Sequence, residues 1–306
     1  PTETGIGQST TYAGSGGVEV GSFLRKLVYS WEFRDVNILI SSELTSDSQI
    51  QYRREIQERI STVAPFLHLD EDPYLVDVGG KLWWMQDAYT SSDLYPYSEP
   101  YEDETSSFNY IRNSVKIVID AYEGDVDFYM MDPEDPIAMT FSKIFPNLFK
   151  DAESMPANLK QHIRYPEGLF SIQSEKYLRY HVKDPKTFFL GEDQWSIPME
   201  LFINGQQDME PYYLIMRLPG EEKEEFILLT PFTPFSSPNM VAWLAARSDN
   251  PHYGDLMVFM FPRGLQVDGP FQVEARIDND PIISPQLTLL CETGSECIRG
   301  NLLVIP

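Results

Sequence analysis

The residues with most chemistry to offer in these 306 are two cysteines, four histidines and forty-seven carboxylates. His68, His162, His181 and His252 show neither HxxH nor HxxxH spacing, so they outline no zinc site. His162 and His181 fall on successive expected helices, where they either meet or serve as separate structural histidines. No Gly-x-Ser-x-Gly elbow is present, and neither cysteine has a nucleophile's context. Glu274, Asp278, Asn279 and Asp280 place oxygen-bearing side chains close together, as a hard divalent cation, calcium first, would need. Arg276 stands among them, and an internal salt bridge without metal is the competing reading. Asp70-Glu71-Asp72 and Asp132 to Asp135 are lesser acidic turns of the same kind. Cys291 and Cys297 flank Glu-Thr-Gly-Ser-Glu. They either bridge in an oxidising compartment or remain two free, partly buried thiols.

A second constellation is aromatic. Trp83, Trp84, Tyr89, Tyr95, Tyr97, Tyr101 and Tyr110 crowd one stretch, most of them in a long acidic loop over 87–105. Such faces suit stacking against sugar rings or gripping a protein partner. Alternatively, Trp83 and Trp84 point to opposite faces of a strand and one is core. A loop of this length inside a compact domain is functional or mobile.

The elements that must position these residues read as α+β: a mixed sheet built largely from the C-terminal third, β-hairpins at 70–131 and a helical segment at 133–200. Tyr212–Met216, Phe226–Leu229, Leu256–Phe261 and Leu302–Ile305 are short apolar runs bounded by Gly or Pro, as strands buried on both faces are. Ser237-Pro238, followed by Met240, Trp243, Leu244 and Arg247, predicts a crossover helix. That helix would let the strands at Phe226 and Leu256 run parallel. Ser284-Pro285 starts another. Phe271, Val273, Ala275 and Ile277 alternate like a strand, while Gly269-Pro270 opens like a helix. Gly79-Gly80 and Glu123-Gly124-Asp125 are hairpin turns. Helices are predicted over 18–34 and 47–64; the first, with Phe23, Leu27, Ser30 and Trp31 on one side, either lies on a membrane or packs into a core, and the flanking Glu19, Glu32 and Asp35 favour the core. Pro136, Pro156, Pro166 and Pro185 open four more. Gly14-Ser15-Gly16-Gly17 makes no phosphate loop, because no Gly-Lys-Ser/Thr follows. One domain over 1–306 is expected, with a possible subdivision near 205 into 18–204 and 205–306.

The net charge is −24, and residues 61–136 hold seventeen acidic and three basic residues. Such a surface repels phosphate backbones, which argues against nucleic acid. It attracts cations or a basic partner, or simply keeps the surface solvated. No apolar run approaches the length of a membrane span. A chain beginning at Pro1 reads as an excised fragment.

Phe108–Tyr122, Pro211–Gly220, Leu229–Pro234, Glu274–Pro281 and Ile298–Pro306 resemble uncharacterised protein family 0182, large bacterial integral membrane proteins. The resemblance runs from Tyr12 onward. It implies a domain on the extracytoplasmic face of the cell membrane, tethered to transmembrane helices outside this fragment, and it implies no activity. The expected role is a binding or scaffolding module, with the protein's own transmembrane region and an envelope glycan or protein as partners. The alternative is an envelope hydrolase or transferase, favoured by a pocket that joins carboxylates with Trp or Tyr walls.

Overall fold

The computed structural model describes residues 12–102, 107–202, 205–291, 300 and 302–305. Two units divide the chain, Pro1–Pro156 and Ala157–Pro306. Position 205, where a subdivision was expected, opens a strand of a hairpin inside the second unit.

In the first unit β1 (Val18–Glu19) pairs antiparallel with β2 (Gln49–Ile50), bracketing α1 (Phe23–Glu32) and α2 (Asn37–Ile40). Then come α3 (Ile56–Val63), β3 (His68–Leu69), β4 (Tyr74–Val78) and β5 (Lys81–Ser92). A ribbon of β6 (Tyr101–Glu102) and β7 (Ser107–Phe108) precedes β8 (Tyr110–Asp120), β9 (Val126–Met130), α4 (Pro136–Ile144) and β10 (Phe149–Asp151). The sheet runs β10-β9-β8-β5, with β3 and β4 both on β5. Only its β9–β10 pairing is parallel. The two expected hairpins are present. At the first, Gly79 and Gly80 take φ of 66° and 81°, the left-handed region a two-residue hairpin needs.

Alternation decides which sheet face is core. Ala88, Val115, Ile117, Ile119 and Phe128 share one face, and α3 lays Ile56 and Ile60, four residues apart, against it. The predicted 47–64 helix is shorter than expected. Arg53 adopts a left-handed φ of 52°, which breaks the helical path, and the Glu55 carboxylate then caps α3 through the amides of Gln57 and Glu58. The predicted 18–34 helix likewise begins only at Phe23, after the Ser22 cap and β1. Its apolar side chains are not core: only Ser30 is buried in α1. The loop expected from 87 begins later, because β5 continues to Ser92.

The second unit holds α5 (Ala157–Lys160), α6 (Glu167–Tyr180), α7 (Pro185–Leu190), β11 (Trp195–Ser196), β12 (Met199–Phe202) and β13 (Gly205–Asp208). After these follow β14 (Tyr212–Arg217), β15 (Glu224–Pro234), β16 (Ala242–Arg247), β17 (Leu256–Met260), α8 (Pro270–Asp278) and α9 (Ile283–Cys291). The main sheet, β11-β15-β16-β17 with β14 beside β15, is antiparallel throughout. The chain is therefore α+β, with helices at 133–200 and hairpins at 70–131 as expected, while the parallel pairing that makes a sheet mixed lies in the first unit rather than in the C-terminal third.

Two expectations are corrected here. The crossover helix at 237–250 is instead the central strand β16, so β15 and β17 lie in one direction but on opposite sides of it. The reason is burial on both faces. Ala242, Leu244 and Ala246 enter one core, while Trp243 and Ala245 enter the other. The fourth apolar run, Leu302–Ile305, forms no strand. The Val304 N–H donates to the Tyr212 hydroxyl at 3.2 Å, and that hydroxyl donates to the Val304 carbonyl, in place of a ladder. The ambiguous 271–277 stretch is helical, because Gln272 Oε1 accepts the Gly269 N–H at 2.9 Å and Pro270 fixes the first turn.

Candidate functional site

Three arginines of an acidic chain converge on one concavity of the first unit. The cavity holds about 520 Å³ and is lined by Arg53, Arg54 and Arg59, by Tyr52, Trp84 and Tyr122, and by the β8–β9 turn. Left-handed backbone at Arg53 precedes α3, and Arg53, Arg54 and, from within α3, Arg59 all line the cavity. Arg59 Nη1 donates to the carbonyls of Tyr52 (3.5 Å) and Arg53 (3.3 Å), so its fork is anchored by backbone. Arg54 Nη1 donates to Gln51 Oε1 at 2.6 Å. Arg53 donates to Thr62 Oγ1 at 2.8 Å and lies 3.9 Å from Glu58. Among the described residues neither Arg54 nor Arg59 has a carboxylate in ion-pair range. Gly124 makes room for Arg59: a Cβ there would meet its Nη2 at 3.0 Å, and the φ of +82° is left-handed. Partly exposed guanidinium groups beside aromatic rings, such as those of Arg54 and Arg59 here, suit a carboxylate or phosphate.

Two of the three carboxylates lining this pocket, Asp120 and Glu123, are already engaged; Asp125 is the third. Asp120 accepts the Lys81 ammonium at 2.5 Å and the amides of Tyr122 (2.9 Å) and Glu123 (3.1 Å). Burial pushes its carboxyl up, but Lys81 and the two N–H groups outweigh burial and hold it below its ordinary value. Glu123 accepts the amides of Ser15 (2.6 Å) and Gly16 (2.8 Å), the Ser15 hydroxyl (3.0 Å) and the Tyr12 hydroxyl (3.1 Å). Here too desolvation pushes up and the donors prevail, leaving the carboxyl low. The Gly-rich 14–17 segment thus cradles an anion after all, one belonging to the chain itself.

A depressed folded-state pKa stabilises above the unfolded value and loses that contribution as pH falls through the folded one. Asp120→Asn is therefore expected to lower the urea midpoint near neutral pH, with the gap to wild type closing below about pH 4. A gap that stays constant or widens on acidification would contradict the assignment.

The aromatic candidates separate. Trp84 packs on the core of the first unit and also lines the arginine pocket, while Trp83 lies under the Lys81 ammonium at 4.6 Å. Tyr89 is buried and donates to Asp70. Tyr110 stacks with Tyr95 at 5.5 Å and donates to Asp135 at 2.9 Å; burial first, then Asp135, raises its pKa to about 12. Tyr101 tilts against Phe108. The exposed aromatics reduce to Tyr95 and Tyr97, beside exposed Leu94. Asn109 clamps that tip, accepting the Tyr95 amide at 2.9 Å and donating to the Tyr95 carbonyl at 2.8 Å.

The metal candidates do not converge. Arg276 pairs with Asp268 at 2.6 Å rather than with its helix neighbours. Asn279 Nδ2 donates to the Ala275 carbonyl at 2.7 Å. Asp280 accepts the amides of Ile282 and Ile283 and so leads into α9. Glu274 is buried on α8, with Asp278 on the same helix. Among the described residues no three His, Cys, Asp or Glu side chains gather to hold an ion. His181 stacks on Trp195 at 3.7 Å, while His162 is exposed. Cys297 and the Cys291 side chain lie outside the described residues. The arginine cluster was missed, although three cations in seven residues of so acidic a chain are visible in composition alone.

Among the described residues no helix is long and apolar enough to cross a membrane. No solved structure matches this chain. Proteins named only as UPF0182 protein match closely: that of Moorella thermoacetica is 54% identical over 97% of this chain, and that of Trichodesmium erythraeum 49% over 97%. This chain covers 32% of the first and 34% of the second, so it spans about a third of the relatives' length. The family described as "Uncharacterised protein family (UPF0182)" matches residues 1–290. The chain belongs to that family.

Proposed function

We propose that this chain is an extracytoplasmic binding domain of a longer, membrane-anchored protein, and that the arginine-lined pocket takes an anionic ligand bearing carboxylate or phosphate groups. The observation that carries the reading is the pair Arg54 and Arg59, both without a carboxylate partner among the described residues, facing a cavity of about 520 Å³. In a chain of net charge −24 the long-range field disfavours anions, so capture depends on these short-range forks.

The pocket also joins carboxylates with Trp and Tyr walls, the pattern that favours a hydrolase. Carboxylate-based hydrolysis needs one acid held above its usual value as a proton donor. Of the three carboxylates lining the pocket, Asp120, Glu123 and Asp125, the first two are held below theirs by donors bound to them, so neither is such a proton donor. Binding is the better reading.

Titration with inorganic phosphate and with a polyuronate oligosaccharide, followed by calorimetry, tests it. Arg59→Ala and Arg54→Ala are each expected to weaken binding about tenfold or more, the contribution of a charge-assisted hydrogen bond. Wild type that binds neither probe, or variants that bind as well as wild type, would sink the proposal.

A further inference from the structure

Helix α1 is amphipathic in the wrong sense for a core helix. Its sequence, FLRKLVYSWE, places Phe23, Leu24, Leu27, Val28 and Trp31 on one face, and all five are exposed. Trp31 is 85% exposed, Phe23 71% and Leu24 68%. The polar edge is what holds the helix down. Lys26 Nζ donates to the Leu44 carbonyl at 2.9 Å, Ser30 is buried, and the Tyr29 ring meets Tyr52 at 5.7 Å. Val36, the N-cap of α2, and Ile40, its last residue, are exposed apolar residues as well. Burial of apolar surface is the largest favourable force available to such a helix, so this orientation is costly unless something apolar covers the strip.

We infer that the α1–α2 face lies on a lipid bilayer surface, seating Phe23, Leu24, Leu27, Val28 and Trp31 at the headgroup–acyl boundary. Charge supports that occupant over a second copy of the chain. Residues 18–40 carry three cations (Arg25, Lys26, Arg34) and three anions (Glu19, Glu32, Asp35), hence no net charge, in a chain of −24. Two such chains would repel one another on approach, whereas a zwitterionic bilayer exerts no such repulsion. Composition agrees: a helix with one exposed apolar face and a tryptophan near its end suits the headgroup–acyl boundary. This inference is independent of the anion pocket and uses none of its arginines.

Flotation of the chain with phosphatidylcholine vesicles tests it. Wild type is expected to float, and Leu24→Glu/Trp31→Glu to lower the bound fraction about tenfold, because two charges enter the apolar face. Both positions are exposed, so the double variant should unfold at the same urea concentration as wild type. The Trp31 emission, taken as wild type minus Trp31→Phe, is expected to shift to the blue with vesicles. Absence of flotation by wild type, or equal flotation by the double variant, overturns the proposal. Light scattering that shows a dimer abolished by the double variant, with no vesicle binding, overturns it in favour of self-association.

Discussion

Exchanging Lys116 for methionine is expected to cost about 3–5 kcal/mol of stability, the penalty for stranding one member of a buried ion pair. Lys116 of β8 stands directly across from Asp87 of β5, and its ammonium donates to Asp87 Oδ1. Their side chains are 2% and 3% exposed. Burial pushes the Asp87 carboxyl up, and the Lys116 charge does not fully offset it. Without Lys116 the carboxylate would take up a proton. A raised folded-state pKa in an acid means the folded form binds the proton more tightly. The deficit of Lys116→Met is therefore expected to shrink as pH falls. Asp87→Leu combined with Lys116→Met should recover much of the loss, since no charge then remains to be desolvated. Urea unfolding of the two single variants and the double decides it. A Lys116→Met protein as stable as wild type at neutral pH would show that the pair does not govern folding of this unit.

A loss of about 3–5 kcal/mol is also expected from Arg247→Met at the end of β16. The Arg247 side chain is 4% exposed and grips Glu225 with two nitrogens, Nε at 2.6 Å, while Nη1 reaches Glu221 at 3.0 Å. Removing it leaves two carboxylates facing each other, one of them largely buried. Arg247→Lys should restore only part of the loss, because a single ammonium cannot reproduce the planar fork. The same experiment separates strand from helix. At the last turn of a surface helix, an exposed Arg247 would contribute no more than about 1 kcal/mol. Calorimetric unfolding showing so small an effect would argue against the buried strand.

Local signals sufficed wherever a feature depends on a few adjacent residues. Gly79-Gly80 and Glu123-Gly124 marked real hairpins because left-handed backbone is readable from glycine itself. Pro136 and Pro185 marked real helix starts, each following an aspartate cap. The long resemblance placed the chain in its family without any fold. The chain's own pattern was ambiguous where burial on both faces erases periodicity. Ser237-Pro238 and the spacing of Met240, Trp243, Leu244 and Arg247 read as a helix, yet Ala242–Arg247 is a central strand because cores lie on both sides of it. The opposite error befell α1: an apolar stripe at helical spacing implies burial, but only tertiary packing decides which face is turned inward, and here it is the polar edge. The acidic Glu274–Asp280 run and the arginine pocket make the same point about sites. Nearness in sequence put the candidate ligands together, but Arg276 pairs with Asp268 outside the run, while Asn279 and Asp280 each bind backbone separately. Arg53, Arg54 and Arg59 became one site only because the chain turns at Arg53 and the β8–β9 hairpin closes the other wall. Types and counts of groups are a property of the sequence; which groups share a cavity is set by long-range packing, which no local pattern encodes.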